Sequence, residues 1–506
     1  KIEAHGGRAG QYYYDSYTGE KNFGEVGPVK DLQPHYIILN LRSWQLYLES
    51  DIAQTILNKY TGWIIDKGLK AQSTPQVDVL RAAGIDISQE LNKQIESRFN
   101  LWMRSTLGDA KGMDSINTLA RQVYKTAKVG GDCLVVLRYD KDKGVTVEII
   151  DGALIQTPSD KTAQVMDGSI VDGVQVDKFG KIVSYHVKAG KGFERKFVEI
   201  PAWSKTTGMR TAFLVKGTEY RINSRRGLPV VATVMEAIAK LDRYKEAMVG
   251  SAEERAKVVY YVQHQLGSEG ENPFLQGIAA AFDPNNASYD DGELPVTADG
   301  KQLANDFYAS TNRQLWNLPV GSEMKAINSQ NELFFKEFYS TNADIICGAI
   351  GIPPNVAFSV YNDSFSASRA ATKDWDHTIE VERDRFREQF YQPIYNFWLQ
   401  VQIMEGKIQA PGYMAAWVKR DHIIMEAYRV ARFTGPLFPH IDPVKEAKAA
   451  RERLGELGKH MPLSTVEQET ELVSGGDSQD NAEQFADELE RADQLGLEPV
   501  QKEMPE

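Results

Sequence analysis

The sequence predicts an α+β fold, mainly helical, and three observations carry that prediction. Apolar residues recur at three- and four-residue spacings in several long segments. A β-rich block, CLVVLRYD, VTVEIID and IVDGVQVDKFGKIVSYHVK, stands between two of those segments. No internal repeat and no low-complexity tract interrupts the pattern, and 506 residues suffice for two to four hydrophobic cores.

In chain order, AHGGRAGQYYYDSYTGEKNFGEVGP mixes Gly, Tyr and charge without either period. Residues 1–35 therefore read as an extended arm that orders against a partner. A helix is predicted from about Leu41 to Leu69, with Leu46, Ile52, Ile56, Tyr60, Trp63 and Ile64 on its apolar side and Gly68 as its stop. A second runs from Leu91 to Leu107, and a third from Ser115 to Lys128 closes on Gly130 and Gly131. In the β-rich block, Val171, Val174 and Val176 lead into a turn at Asp177 to Gly180, and Ile182, Val183 and Tyr185 return from it as a hairpin. Leu228 to Gln265 is nearly free of Gly and Pro and predicts one long or once-broken helix. From Gly267 to Gly321 the composition turns to Gly, Asn, Asp, Pro and Ser, an irregular excursion. A helix from Asn331 to Ile350 ends on GIPP and is followed by the polar run SVYNDSFSAS. Another, from about Ala367 to Met404, should kink at Pro393, and the tail from His440 is helical and acidic, with 17 acidic and 7 basic residues.

The charge balance of 58 basic to 70 acidic residues, net −12, argues against a surface that grips phosphate throughout. Cys133 and Cys347 are far apart in apolar runs, which predicts buried thiols, no disulfide framework and a reducing compartment. No apolar run reaches the ~20 residues of a membrane span, and the N-terminus lacks the layout of a secretory signal, so the chain reads as cytosolic in its producing cell. The eight histidines form no HExxH, and neither GxSxG nor GxxxxGK[ST] occurs. Asp140, Asp142, Asp151, Asp283, Asp290 and Asp291 could supply a carboxylate-dependent metal nuclease or hydrolase, the alternative function class, but they show no ligand spacing. Asp290 and Asp291 read as surface charge. No cofactor is expected. Trp375, Phe386, Phe390, Tyr391, Tyr395, Phe397 and Trp398 fall at helical spacings that predict core packing, not a base-stacking platform. Arg369, Lys373, Arg383, Arg385 and Arg387 alternate with Glu380, Glu382, Asp384 and Glu388, a mixed-charge face.

Six segments, taken in order along the chain, resemble the lambda family of phage portal proteins. They are RSWQLYLESDIAQTILNKYTGWIIDKGLKAQ with its Gly68 and Leu69, FNLWM, IVDGVQVDKFGKIVSYHV, RRGLPVVATVMEAIAKLDRYKEA, AIGIPPNVAFSVYNDSFSASRAA, and HIDPVKEAKAARERLGELG completed by DELERADQLGL. Singly each is weak, and the shared order over Leu41 to Leu497 makes the resemblance specific.

The resemblance implies a portal fold with wing, stem, clip and crown regions, forming a ring around a central channel. On this sequence it implies an arm at 1–35, a wing at 36–226, a wing-to-stem helix at 227–266, a clip at 267–325 and a second stem helix at 326–351. A tunnel loop at 352–368, a long kinked helix with a wing return at 369–438, and a crown at 439–506 complete it. The implied function is structural and not enzymatic: a homo-dodecamer at one capsid vertex, the conduit for packaging and ejecting double-stranded DNA. Its implied partners are terminase, the head-tail adaptor, and the major capsid protein with its scaffold, without a membrane. It would reside in the virion, and in host cytoplasm during assembly. Asn362, Asp363, Ser364, Ser366 and Ser368 would belong to the loop facing DNA. Arg369 and Lys373 would serve phosphate contact or an inter-subunit ion pair. Phe282, Tyr289, Phe307, Tyr308, Leu315 and Trp316 would serve clip or adaptor contacts, or packing within the clip. An acidic channel lining would let DNA slide, where Lys and Arg would hold it.

Overall fold

The computed structural model describes residues 12–14, 21–23, 36–158, 161, 169–189, 196–219, 222, 224–257, 260–264, 322–326, 335–360, 365–435, 443–455, 462–474, 476 and 478–496. The chain divides into two compact units, one of residues 1–240 with 340–506, the other of residues 241–339.

The larger unit begins with a short antiparallel ladder, β1 (Tyr12–Tyr14) on β2 (Lys21–Phe23). The arm expected to lack strand structure thus contains a small antiparallel pair, the run Tyr12–Tyr14 lying opposite Lys21–Phe23 with Tyr12 across from Phe23. The first predicted helix is two: α1 (Tyr36–Glu49) and α2 (Asp51–Ile65). Ser50 divides them, because its hydroxyl accepts the Ala53 N–H as an N-cap while its own N–H donates to the Leu46 carbonyl. Next come β3 (Lys70–Ser73), α3 (Val77–Ala82), α4 (Gln89–Arg104) and α5 (Ile116–Gly130). Ser115 caps α5 at its start, and Gly131, at φ 108°, ends it. A Cβ on Gly131 would meet the Gly227 carbonyl oxygen at 2.8 Å, so this stop needs glycine for space as well as for conformation.

The β-rich block folds as expected into β4 (Asp132–Asp140), β5 (Gly144–Asp151), β6 (Ile170–Val171), β7 (Val174–Val176), β8 (Ile182–Lys188), β9 (Phe197–Pro201) and β10 (Ala212–Lys216). They form two antiparallel sheets, ordered β10-β4-β5 and β6-β7-β8-β9. β4 is central in its sheet, which accounts for the unbroken burial of Cys133 to Leu137. Leu134, Val136 and Leu214 from the first sheet meet Val174, Tyr185 and Val187 from the second in one apolar cluster.

The long helix is shorter at both ends than the sequence predicts. α6 covers Met235–Lys257, and β11 (Tyr260–His264) takes its expected last turns. The β-branched and aromatic run YYVQH favours a strand, and β12 (Ser322–Ala326) supplies its partner, with Tyr260 opposite Ala326 and His264 opposite Ser322. Within the smaller unit, Tyr244 stacks on Phe335, ring centroids 5.5 Å apart.

Beyond the ribbon come α7 (Phe335–Ile350), α8 (Pro354–Phe358), α9 (Phe365–Phe386) and α10 (Gln392–Met404). α9 and α10 are joined by a π-helical turn, Arg387–Tyr391, just ahead of the Pro393 at which the sequence predicts a kink. Pro393 has no N–H for the Gln389 carbonyl, and the widened turn just before it absorbs the break in the hydrogen-bond ladder. α11 (Tyr413–Lys419), α12 (His422–Arg429) and β13 (Ala431–Thr434) follow, β13 pairing antiparallel with β3. The tail is helical, as α13 (Pro443–Leu454), α14 (Val466–Ser474) and α15 (Ser478–Gln494). The aromatic residues singled out in the sequence are core: Trp375, Phe386, Phe390, Tyr391, Tyr395, Phe397 and Trp398 are all buried. Phe99 of α4 meets Trp398 at 4.9 Å and Tyr395 at 5.1 Å, both edge-on.

Candidate functional site

The polar segment after α7 is set by a helix stop that the sequence spells out. The Ile352 N–H donates to the Cys347 carbonyl and the Gly351 N–H to the Gly348 carbonyl, the paired bonds of a Schellman motif, with Gly351 at φ 87°. Pro353 and Pro354 prevent the helix from resuming, and α8 is a single short turn that ends on Ser359 in the left-handed region. Asn362, Asp363 and Ser364 lie outside the described residues. Ser366, Ser368 and Arg369 belong to the first five residues of α9, and Lys373, one turn further, is exposed. Phe282, Tyr289, Phe307, Tyr308, Leu315 and Trp316 also lie outside the described residues, as do Asp283, Asp290 and Asp291.

α9 has two chemically distinct sides. Trp375, Ile379, Arg383 and Phe386, spaced four, four and three apart, are buried, and Trp375 meets Tyr60 of α2 at 5.6 Å. From Lys373 onward the exposed charges are Lys373 against Asp374, Asp376, Glu380 and Asp384. The mixed-charge face is therefore acidic where it meets solvent, because Arg383 is buried and Arg385 and Arg387 are half-buried while Asp374, Asp376, Glu380 and Asp384 are exposed. Arg383 donates through Nε to the Ile64 carbonyl at 2.8 Å and through a terminal nitrogen to the Trp63 carbonyl at 3.2 Å, capping the end of α2. Glu382 accepts from Lys128 Nζ at 2.6 Å, and the same ammonium donates to the Gly217 carbonyl at 2.9 Å. Burial holds the Lys128 ammonium below its usual pKa against the pull of Glu382, while burial and the Glu382 charge push the Tyr60 and Tyr124 hydroxyls up. Gln389 in the π-helical turn accepts the Lys216 N–H at 2.9 Å, so α9 and the turn after it are tied to α5, α2 and β10 by residues nine, ten and sixteen positions beyond Lys373.

A second buried centre fixes the RRGLP segment that leads into α6. Arg226 donates through Nε and a terminal nitrogen to both oxygens of Asp132, each at 2.7 Å, and its remaining donors reach the carbonyls of Gly152, Ile155 and Asp172. Tyr36 donates to the same carboxylate at 2.7 Å, the Gly227 N–H at 3.0 Å, and the guanidinium lies 3.6 Å from the Tyr36 ring centre. Asp132 is fully buried and Arg226 nearly so. The Asp132 charge and its hydrogen bonds raise the Arg226 pKa, outweighing the burial that would lower it. One ion pair thus joins α1, β4, two loops and the approach to α6.

The roles of these five charged residues, Lys128, Asp132, Arg226, Glu382 and Arg383, escaped the sequence reading. Glu382 and Arg383 look like members of a solvated charge alternation, and the signal available was Arg383 falling on the apolar line four residues after Ile379. For Asp132 the signal was a carboxylate abutting the apolar run 133–137. Cys133 and Cys347 are both buried and free, and burial pushes both thiols up, Cys347 to about 12. Among the described residues no group of three or more His, Cys, Asp or Glu could hold a metal ion, and no helix is long and apolar enough to cross a membrane.

Comparison with known proteins gives a family match over most of the chain: the model for phage portal proteins of the lambda family matches residues 18–383. Among solved structures, a chain in the neck of an empty gene transfer agent particle, computed with C6 symmetry, is 12% identical, with 89% of this chain and 96% of that one covered and a TM-score of 0.44. A chain in the neck of the native particle, computed with C12 symmetry, gives 10%, 85%, 92% and 0.40. An HK97-family phage portal protein from Corynebacterium diphtheriae gives 11%, 65%, 82% and 0.28. No curated protein sequence matches the chain.

Proposed function

Because the chain belongs to the lambda family of phage portal proteins, we propose that it is the subunit of a dodecameric ring at one capsid vertex, the channel through which double-stranded DNA is packaged and ejected. The observation that carries this is the family match along residues 18–383. The role is structural and not enzymatic. Terminase during filling, and the head-tail adaptor afterwards, would dock on the clip, with Phe282, Tyr289, Phe307, Tyr308, Leu315 and Trp316 as contact residues. The major capsid protein and scaffold would meet the outer regions.

The DNA-facing duty falls on residues 352–368, the last four of which begin α9, with Asn362, Asp363 and Ser364 in the polar tunnel loop, Ser366 and Ser368 extending it in the first turn of α9, and Arg369 and Lys373 as its cations. Two features support this. The acidic outer side of α9 would repel phosphate and so favour sliding over capture. The ties of Glu382, Arg383 and Gln389 hold the helix behind the loop, so force on the loop has a braced support.

Electron microscopy of the purified protein tests the proposal. Rings with a central hole wide enough for duplex DNA are expected, and a chain that stays monomeric at high concentration sinks it.

A further inference from the structure

Four cations of the larger unit surround one cavity, and the portal reading gives them no task. The cavity, about 320 Å³, lies where the segment from α2 into β3 meets the end of α4 and the start of α5, and its walls include Lys67, Lys70, Arg104 and Arg121. Asn117 and Ser115 contribute polar lining, and no carboxylate lines it. Like charges gathered at one concavity repel, and a fold that collects them normally supplies counter-charge. Here the counter-charge is incomplete: Lys67 and Arg104 have no ion pair among the described residues, and Arg121 donates only to the Thr118 hydroxyl, at 3.3 Å. The start of α5, a fifteen-residue helix, adds the positive end of its dipole on the same side.

We propose that this cavity binds a phosphate-class oxyanion. Two guanidinium forks suit phosphate oxygens in pairs, and the volume admits a diphosphate or one phosphodiester with its sugar. The chain also carries a competitor for the rim. Lys70 pairs with Asp480 of α15, and Lys93 pairs with Glu483 one turn along the same helix. α15 buries none of its residues, so these exposed pairs, which salt screens, hold a helix that an incoming polyanion can displace.

Calorimetric titration of the full-length protein with pyrophosphate, and in parallel with a short DNA duplex and a poly-glutamate peptide, tests the proposal. Saturable binding of a phosphate probe is expected, weakened by about tenfold or more in the Arg104→Ala, Arg121→Ala double variant and partly kept in the corresponding Lys double variant. Asp480→Asn should tighten binding by freeing Lys70. The substituted side chains are exposed, so matching thermal melts will show that the variants fold. If the duplex loses affinity in step with pyrophosphate the natural source is nucleic acid, and if the duplex is indifferent it is a free phosphate compound; either supports the site. Binding of neither phosphate probe, binding undiminished in the double variant, or capture of the peptide alone overturns it.

Discussion

At the scale of single residues, the charges that matter most to this protein are the ones water does not reach. Arg226 sits among an aromatic ring, a carboxylate and three carbonyls, so shortening it to Met would leave Asp132 buried and unpaired. Arg226→Met should cost about 3–5 kcal/mol in denaturant unfolding, and Arg226→Lys should recover only part of that because an ammonium cannot span both oxygens. Glu382→Leu, which strands the Lys128 ammonium, should cost several kcal/mol, and adding Lys128→Met should restore most of the loss. If the double variant is no better than the single one, the pair is not what the two residues share. The sequence made the apolar partners of these residues legible, since Trp375, Tyr391 and Trp398 declare their burial by type and spacing. It concealed the charged ones, because a buried ion pair needs a partner about 90 residues away or more, and no local pattern encodes that distance.

At the scale of elements, helix ends were the most readable feature where a cap carries its own chemistry. Ser115, Gly131 and Gly351 each mark a boundary that the structure honours. Gly351→Ala meets no atom within 4 Å of its Cβ, so its cost is the backbone penalty alone, about 1 kcal/mol, seen as a modest fall in Tm. Gly131→Ala should cost more, because the Gly227 carbonyl stands 2.8 Å from the added carbon. Boundaries without a cap were read less well. α6 yields to β11 at residues whose strand tendency is realised only because Ser322–Ala326 is there to pair with them. Pro393 marks in the sequence where the helical ladder is interrupted, but the form of the interruption, a π-helical turn at Arg387–Tyr391, goes with a contact to β10 that no helical period reports.

At the scale of the whole molecule, the excess of carboxylates leads to a prediction about DNA. The isolated protein should bind free duplex weakly outside the proposed phosphate cavity, so the Arg104→Ala, Arg121→Ala variant should retain little affinity and only a shallow salt dependence, measured by anisotropy from low to physiological salt. Tight, steeply salt-dependent binding by that variant would contradict the proposed acidic, low-friction channel. The division into two units was foreshadowed by the shift in composition after Gln265, whereas the larger unit, assembled from both ends of the chain, left no mark in any local window.

The β11–β12 ribbon has a wider consequence. Because His264 faces Ser322 across an antiparallel pair, the chain departs and returns at neighbouring points about 5 Å apart. The chain between those two residues leaves and re-enters the ribbon through a doorway one ladder rung wide. Replacing residues 265–321 with a two-residue Asn-Gly turn should leave the melting transition of the larger unit unchanged within a few degrees. If the proposed docking role of this segment holds, its sequence could be exchanged to suit a new partner while the ribbon that anchors it is kept.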